Sequence, residues 1–308
     1  MSEQIPETTT ALQVNSDPSF SEPANIKVLS EPPLNPTQDP FFDPNFFNLT
    51  TNPDFVQLTP GLLRSASGGL RALAGDDFVK GSTDSELING NIGNDSLLGE
   101  GGDDTLRGGK GLDVLSGGDG NDILNGNLDQ DYIFGNAGDD LIRGGQGDDN
   151  LVGGVGKDTL IGDAGIDKLW GGLDADVFVL RRDKAAPPQD VGSSQPRPSG
   201  NFNVDSIPAD IILDYDPAQG DVIGLTGGLT ANDVVVSEIF LTLGDRRDYN
   251  SSGPFPLGIP RTADFQLENT SAAIIREAGT GNILGLVKNV SPAQLRFVSV
   301  TEGTTALG

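Results

Sequence analysis

The sequence predicts an all-β protein. Its middle third should be a coil of two thin parallel sheets, about six turns long, set between a largely irregular N-terminal arm and a β-rich C-terminal capping module. Three observations predict this. A nine-residue pattern runs twelve times over residues 72–179 without insertion or deletion, as in GNIGNDSLL (90–98), GGKGLDVLS (108–116) and GGDGNDILN (117–125). Position eight is apolar in every repeat, from Val79 and Ile88 to Leu169 and Phe178. Position one is Gly in eleven of the twelve, the exception being Ala72. The expected divisions are an arm over 1–71, the repeats over 72–179, a linker over 180–208 and a C-terminal module over 209–308.

One repeat explains the coil. Six residues rich in Gly and Asp/Asn make a turn, because Gly reaches positive φ without steric cost and Asn or Asp tolerates it. Three residues then form a short strand whose middle side chain faces opposite to its neighbours. Two such reversals complete one coil in 18 residues. Position eight of every strand then fills a narrow interior, and six coils span roughly 29 Å at ~4.8 Å per strand.

That interior is too small to hold the chain by apolar burial alone. The repeats also carry 22 Asp/Glu against 6 Lys/Arg, which opposes compaction. The fold therefore needs a cation between its turns, and Ca²⁺ suits it, taking six to eight hard oxygen ligands in flexible geometry. Position six supplies a carboxylate at the same height on each coil: Asp77, Glu86, Asp95, Asp104, Asp113, Asp122, Asp131, Asp140, Asp149, Asp158, Asp167 and Asp176. The eleven aspartates are the candidate side-chain ligands. Asp95, Asp113, Asp131, Asp149 and Asp167 should line one edge, and Asp104, Asp122, Asp140, Asp158 and Asp176 the other. Gly-rich turns expose carbonyls, and the candidates are those of Gly90, Gly99, Gly108, Gly109, Gly111, Gly117, Gly118, Gly120, Gly135, Gly144, Gly145, Gly147, Gly153, Gly154 and Gly156.

This stretch resembles the RTX (repeats-in-toxin) array, the haemolysin-type calcium-binding nonapeptide G-G-x-G-x-D-x-U-x. The resemblance implies a parallel β-roll with several Ca²⁺ ions, up to about ten, between successive turns on both edges, and export by type I secretion machinery. Departures fall mainly at the start. Ala72 and Leu73 replace the first two glycines, Glu86 replaces an aspartate, and Asp84 stands at a Gly position, so the first coil is expected to be a poor metal site that acts as a cap. Asp129 and Asp174 replace the fourth-position Gly.

The composition excludes several function classes. A net charge of −26 disfavours nucleic acid and anionic membranes as partners. Without Cys there is no disulfide framework or thiolate metal site, and without His no Ser-His-Asp triad or His-based zinc protease site. No apolar run approaches a membrane span.

The arm opens with MSEQIPETTTALQVNSDP, which lacks the basic start and apolar core of a cleaved signal. Its Pro, Thr, Asn and Ser content to about residue 60 suggests extended or irregular chain. Phe41, Phe42, Phe46, Phe47 and Phe55 are expected to cover the open end of the roll, which would otherwise expose apolar surface and strand edges; the other use for them is as an anchor on another surface. Residues 61–71 read as a short helix or an irregular lead-in. Two outer stripes, Lys80, Leu98, Ser116, Phe134, Val152, Trp170 and Leu87, Thr105, Ile123, Leu141, Thr159, Val177, are more apolar than a solvated face requires. Cover from the C-terminal module or lateral self-association would explain them.

Order returns at 209–225, which reads as two strands around a turn at Pro217–Gly220, followed by a strand near 232–241, a long loop over 244–262, a hairpin over 271–288 and a short helix from Ser291. The 210–225 pair is similar to the module that closes the last coil in secreted RTX proteins, and in that family the uncleaved export signal falls in roughly the last 50–60 residues. Asp210, Asp214, Asp216 and Asp221 either build one more Ca²⁺ site or make turns. The expected function is that of a secreted, non-enzymatic calcium-binding protein. It would fold on Ca²⁺ outside the cell as a structural or interaction protein of the cell surface or matrix. The alternative is an accessory or catalytic component of a secreted hydrolase system.

Overall fold

The computed structural model describes residues 26–29, 45–181, 201–203, 209–242 and 270–300. Phe41, Phe42, most of the linker, the 244–262 loop and the tail after Val300 lie outside the described residues.

Position eight dictates the architecture. Its twelve side chains, from Val79 to Phe178, are all fully buried in one continuous core. They come from two sheets by turns. Phe78–Lys80, Ser96–Gly101, Val114–Asp119, Tyr132–Ala137, Asn150–Val155 and Lys168–Leu173 belong to one, which we call sheet A. Leu87–Ile92, Thr105–Lys110, Ile123–Leu128, Leu141–Gln146, Thr159–Ala164 and Val177–Leu180 belong to sheet B. All these strands pair in parallel, and Leu124 faces Leu106 on one side and Ile142 on the other, a register of 18 residues per coil. This is the parallel β-roll of about six coils over the repeats.

The strands are longer than the three residues expected. Most run for six, from position seven through position three of the next repeat. The chain turns left-handed at positions two and four, with φ of 122° at Gly109 and 128° at Gly111, yet it keeps its parallel partners beyond the first of these. The true turn is therefore only three residues.

The arm is less irregular than its composition suggests. Phe55–Leu58 joins sheet A beside Phe78–Lys80, and Lys27–Leu29 pairs with it in turn. Phe47–Asn48 and Leu70–Arg71 extend sheet B. Residues 62–65 form one short 3-10 turn. Phe47, Val56, Leu58, Leu62 and Leu70 are buried in the same core as position eight, so Phe47 does close the roll, while Phe55 is exposed.

At the other end, Asp210–Ile212 and Val222–Leu225 do not form a hairpin. Each adds in parallel to a different sheet, Ile212 opposite Leu169 and Ile223 opposite Phe178, so the segment makes one further coil. Tyr215 packs on Phe178 with ring centroids 6.4 Å apart and closes the interior. Sheet A then continues through Ile283–Lys288, Thr270–Glu277 and Val234–Thr242, the antiparallel part of the molecule, and sheet B through Phe297–Ser299. Of the outer stripes, Trp170 packs against the C-terminal cluster of Ala209, Ile211, Ile274 and Leu286, and Leu98 and Phe134 pack with Phe78, Val114 and Ile26.

Candidate metal centre

The position-six carboxylates form two ladders, one on each edge of the roll. The register places each one above its counterpart 18 residues earlier, and Oδ1 accepts that residue's backbone N–H: Asp95 to Asp113 at 2.8 Å, Asp113 to Asp131 at 2.8 Å, Asp104 to Asp122 at 2.7 Å, Asp122 to Asp140 at 2.8 Å. The ladders outrun the repeats. Asp54 N–H donates to Asp77 Oδ1 (2.7 Å) at the start, and Asp167 and Asp176 donate to Asp210 (3.3 Å) and Asp221 (3.0 Å) at the end.

The second oxygen has no such use. Oδ2 of all eleven position-six aspartates, Asp77 to Asp176, is buried with no hydrogen-bond partner. Its surroundings are defined by the absent side chain of position one. A Cβ built on Gly90 would overlap Asp95 Oδ2 and lie 2.6 Å from the Gly108 carbonyl oxygen of the next coil. The same cradle recurs at Gly99 with Asp104 and Gly117 (2.5 Å), at Gly126 with Asp131 and Gly144 (2.7 Å), and at Gly135 with Asp140 and Gly153 (2.6 Å). It recurs again at Gly144 with Asp149 and Gly162 (2.8 Å) and at Gly153 with Asp158 and Gly171 (2.5 Å). Each cradle thus pairs an orphaned carboxylate oxygen with a carbonyl of the following coil. Among the described residues no three Asp, Glu, His or Cys side chains gather to hold a metal. The donor set is therefore one carboxylate with backbone carbonyls, hard oxygens that fit Ca²⁺.

Burial makes these groups poor anions without a counter-charge. It pushes Asp131 up to about 9, Asp104, Asp113, Asp149 and Asp176 to about 8, Asp140 and Asp77 to about 7, and Asp95, Asp158 and Asp167 to about 6. Neighbouring carboxylates on the same ladder add to the rise at Asp113, Asp131 and Asp149. The backbone N–H that each accepts works the other way.

Of the candidate carbonyls, those of Gly108, Gly117, Gly144 and Gly153 face a cradle, and so do those of Gly162 and Gly171, which the sequence reading left out. Gly90 and Gly135 contribute the open space itself, and Gly99 does so while turning its carbonyl to the corresponding space at Gly81 beside Glu86. Gly109, Gly118, Gly145 and Gly154 at position two, and Gly111, Gly120, Gly147 and Gly156 at position four, all have positive φ, and a Cβ added to any of them would clash with a carbonyl of the coil before. Asp129 and Asp174 keep that conformation, with φ of 74° and 79°. Asp210, Asp214, Asp216 and Asp221 do not converge. Asp210 and Asp221 end opposite ladders, Asp214 accepts the N–H groups of Gly171 (2.9 Å) and Gly172 (2.8 Å), and Asp216 caps the turn at Ala218 (2.8 Å).

Sequence reasoning missed a second ladder, at position five. Asp76 Oδ1 accepts Asn94 N–H, Asn94 Oδ1 accepts Leu112 N–H, Asp103 Oδ1 accepts Asn121 N–H and Asn121 Oδ1 accepts Asp139 N–H, at 2.7–2.9 Å. The signal was the recurrence of Asp, Asn or Ser one residue before the position-six carboxylate.

Residues 70–97, 98–133, 125–160 and 152–182 match the family described as RTX calcium-binding nonapeptide repeat (4 copies). Comparison with curated proteins returns no match.

Proposed function

We propose that the RTX calcium-binding nonapeptide repeats carried by residues 70–182 make this chain a secreted protein whose roll folds as calcium becomes available, outside the cell. The observation that carries the reading is the column of orphaned Asp Oδ2 atoms, ten of the eleven beside a position-one glycine and, at six of these, within reach of a carbonyl of the next coil. Bound Ca²⁺ supplies the positive charge and the oxygen coordination that such an atom lacks. The chain's own residues do the rest. Oδ1 fixes each carboxylate to the backbone of the coil before, so Oδ2 is held towards the cradle in advance. The position-one glycine leaves the cradle open, and position eight seals it from within. Without divalent charge the same carboxylates must take up protons or return to water, and the repeat unwinds, so that binding free energy is folding free energy.

Eight cradles have a repeat coil on their far side, from Gly90 to Gly153, and we assign one ion to each. Unfolded passage through type I secretion machinery at low cytosolic Ca²⁺ would follow from the same coupling. We read the exported protein as a non-enzymatic structural or interaction component of the cell surface or extracellular matrix. What supports it is that the orphaned position-six carboxylates all belong to the two ladders.

Calcium titration by calorimetry alongside circular dichroism tests the reading. Coil should convert to β-structure cooperatively in millimolar Ca²⁺, and poorly in Mg²⁺, which demands tight octahedral geometry. Gly135→Ala, which fills one cradle, should lower the ion count by one. An unchanged spectrum on adding Ca²⁺ to chelated protein would overturn the proposal.

A further inference from the structure

The first coil is built unlike the others. In repeats one and three to twelve, positions two and four both have positive φ; in the second repeat neither Ser82 nor Asp84 does. The space at Gly81 still faces Glu86 Oε2 and the Gly99 carbonyl, but here a protein group satisfies the carboxylate. Glu86 accepts both the N–H (3.2 Å) and the hydroxyl of Ser82, so its carboxylate, unlike the eleven position-six aspartates, is not orphaned. Asp84 accepts Gly61 N–H and pairs with Arg64 at 3.7 Å, which ties this turn to the arm. On the opposite edge, Ala72 occupies position one in the ordinary register. Its N–H donates to Asn89 O (2.8 Å), as Gly81 N–H donates to Leu98 O (2.6 Å). Its methyl therefore stands where glycine leaves the cradle free, and it is fully buried.

The arm adds apolar support that the middle repeat coils lack. Phe47, Val56, Leu58, Leu62 and Leu70 bury against Val79 and Ile88, and the Arg71 guanidinium lies 3.1 Å over the Phe46 ring. From these contacts we propose that residues 45–89 are a calcium-independent template. The first coil holds no ion and stays folded when calcium is withdrawn. It offers Phe78–Lys80 and the start of the next sheet B strand, residues 87–89, as the edges on which metal-dependent coils add. This rests on the calcium reading of the cradles above.

Hydrogen exchange with mass-spectrometric readout on the full chain, in EGTA and in millimolar Ca²⁺, tests it. Amides of 55–58, 78–80 and 87–89 should stay protected in both, exchanging at least about tenfold more slowly in EGTA than those of 105–164, which gain protection only with Ca²⁺. Equal exchange of the two regions in EGTA, with both rescued by Ca²⁺, overturns the template and leaves the calcium reading standing. Protection throughout in EGTA sinks both. Native mass spectrometry gives an independent check: Ala72→Gly should raise the number of bound Ca²⁺ by one, whereas an unchanged count means that the methyl does not close the cradle.

Discussion

Sheet A passes from the repeats into residues 270–288 without a break in pairing, yet the two regions are stabilised by different means. A repeat strand such as Ile123–Leu128 buries one large side chain, Leu124, and one glycine. The hairpin strands bury nearly everything: Ala272, Ala273, Ile274 and Ile275 in one, Ile283, Leu284, Leu286 and Val287 in the other. The hairpin therefore has apolar area on both faces to set against its ordering entropy, and the repeats do not. What the repeats bury instead is carboxylate. A continuous hydrogen-bonded sheet does not imply one continuous source of stability.

The largest expected effect follows directly. In EGTA the repeats should unfold and the hairpin should not, so limited proteolysis ought to cut within 105–164 and spare a fragment containing 270–288. Trp170 sits where the two regions meet and is the only tryptophan, so its emission reports the seam. It should shift to the red in chelator. Loss of both regions in one transition would show that the hairpin borrows its stability from the last coils.

Core truncation should divide the regions by what responds rather than by how much. Leu124→Ala and Ile274→Ala each remove a fully buried branched side chain and should cost about 2–5 kcal/mol. In the repeats that loss is drawn from the same equilibrium as metal binding, so Leu124→Ala should raise the Ca²⁺ concentration at the folding midpoint. Ile274→Ala should lower thermal stability at saturating Ca²⁺ and leave that midpoint in place. A shifted midpoint for both would merge the two regions into one cooperative unit.

A smaller effect comes from protons, which can stand in for part of the missing charge. A carboxyl with a pKa raised by folding binds more protons folded than unfolded. The metal-free repeats are therefore most favoured below the ordinary carboxylate value near 4, and that advantage is lost as pH rises through the folded values of about 6 at Asp95 to about 9 at Asp131. Circular dichroism in EGTA should accordingly recover part of the β signal between pH 8 and pH 5. In Ca²⁺ the dependence reverses, because protons compete with the ion, and the apparent affinity should fall over the same interval. A chelated chain equally unfolded at pH 5 and pH 8 would mean that the ladder carboxylates are not buried in any metal-free coil.

The middle of the molecule was legible because its period is unbroken. Position eight gave the interior, and position six gave the two ladders, edge by edge. The ends were harder for a physical reason. Their register is kept by hydrogen bonds across insertions that hide the period: Val56 faces Val79 across 23 residues, Leu169 faces Ile212 across 43 and Phe178 faces Ile223 across 45. Proline and asparagine in the arm read as irregular chain, although Val56, Leu58 and Leu70 occupy core positions. Six-residue strands escaped notice because glycine and asparagine at positions one to three look like turn residues, whereas here two of the three pair with the neighbouring strands.

Two adjacent residues make the finest comparison. Asn121 Oδ1 accepts Asp139 N–H at 2.7 Å, and Asp122 Oδ1 accepts Asp104 N–H at 2.7 Å, so by hydrogen bonding alone their removal should cost alike. They differ in the second side-chain atom. Asn121 is exposed, while Asp122 Oδ2 is buried without a partner beside Gly117. Asn121→Ala should therefore cost about 0.5–1 kcal/mol, since water can reach the freed N–H, and leave the ion count alone. Asp122→Asn keeps an oxygen for the ladder but removes the charge, and it should lose one ion. If the two variants bind calcium equally, the position-six ladder is a backbone clasp like its neighbour at position five, and metal is held elsewhere.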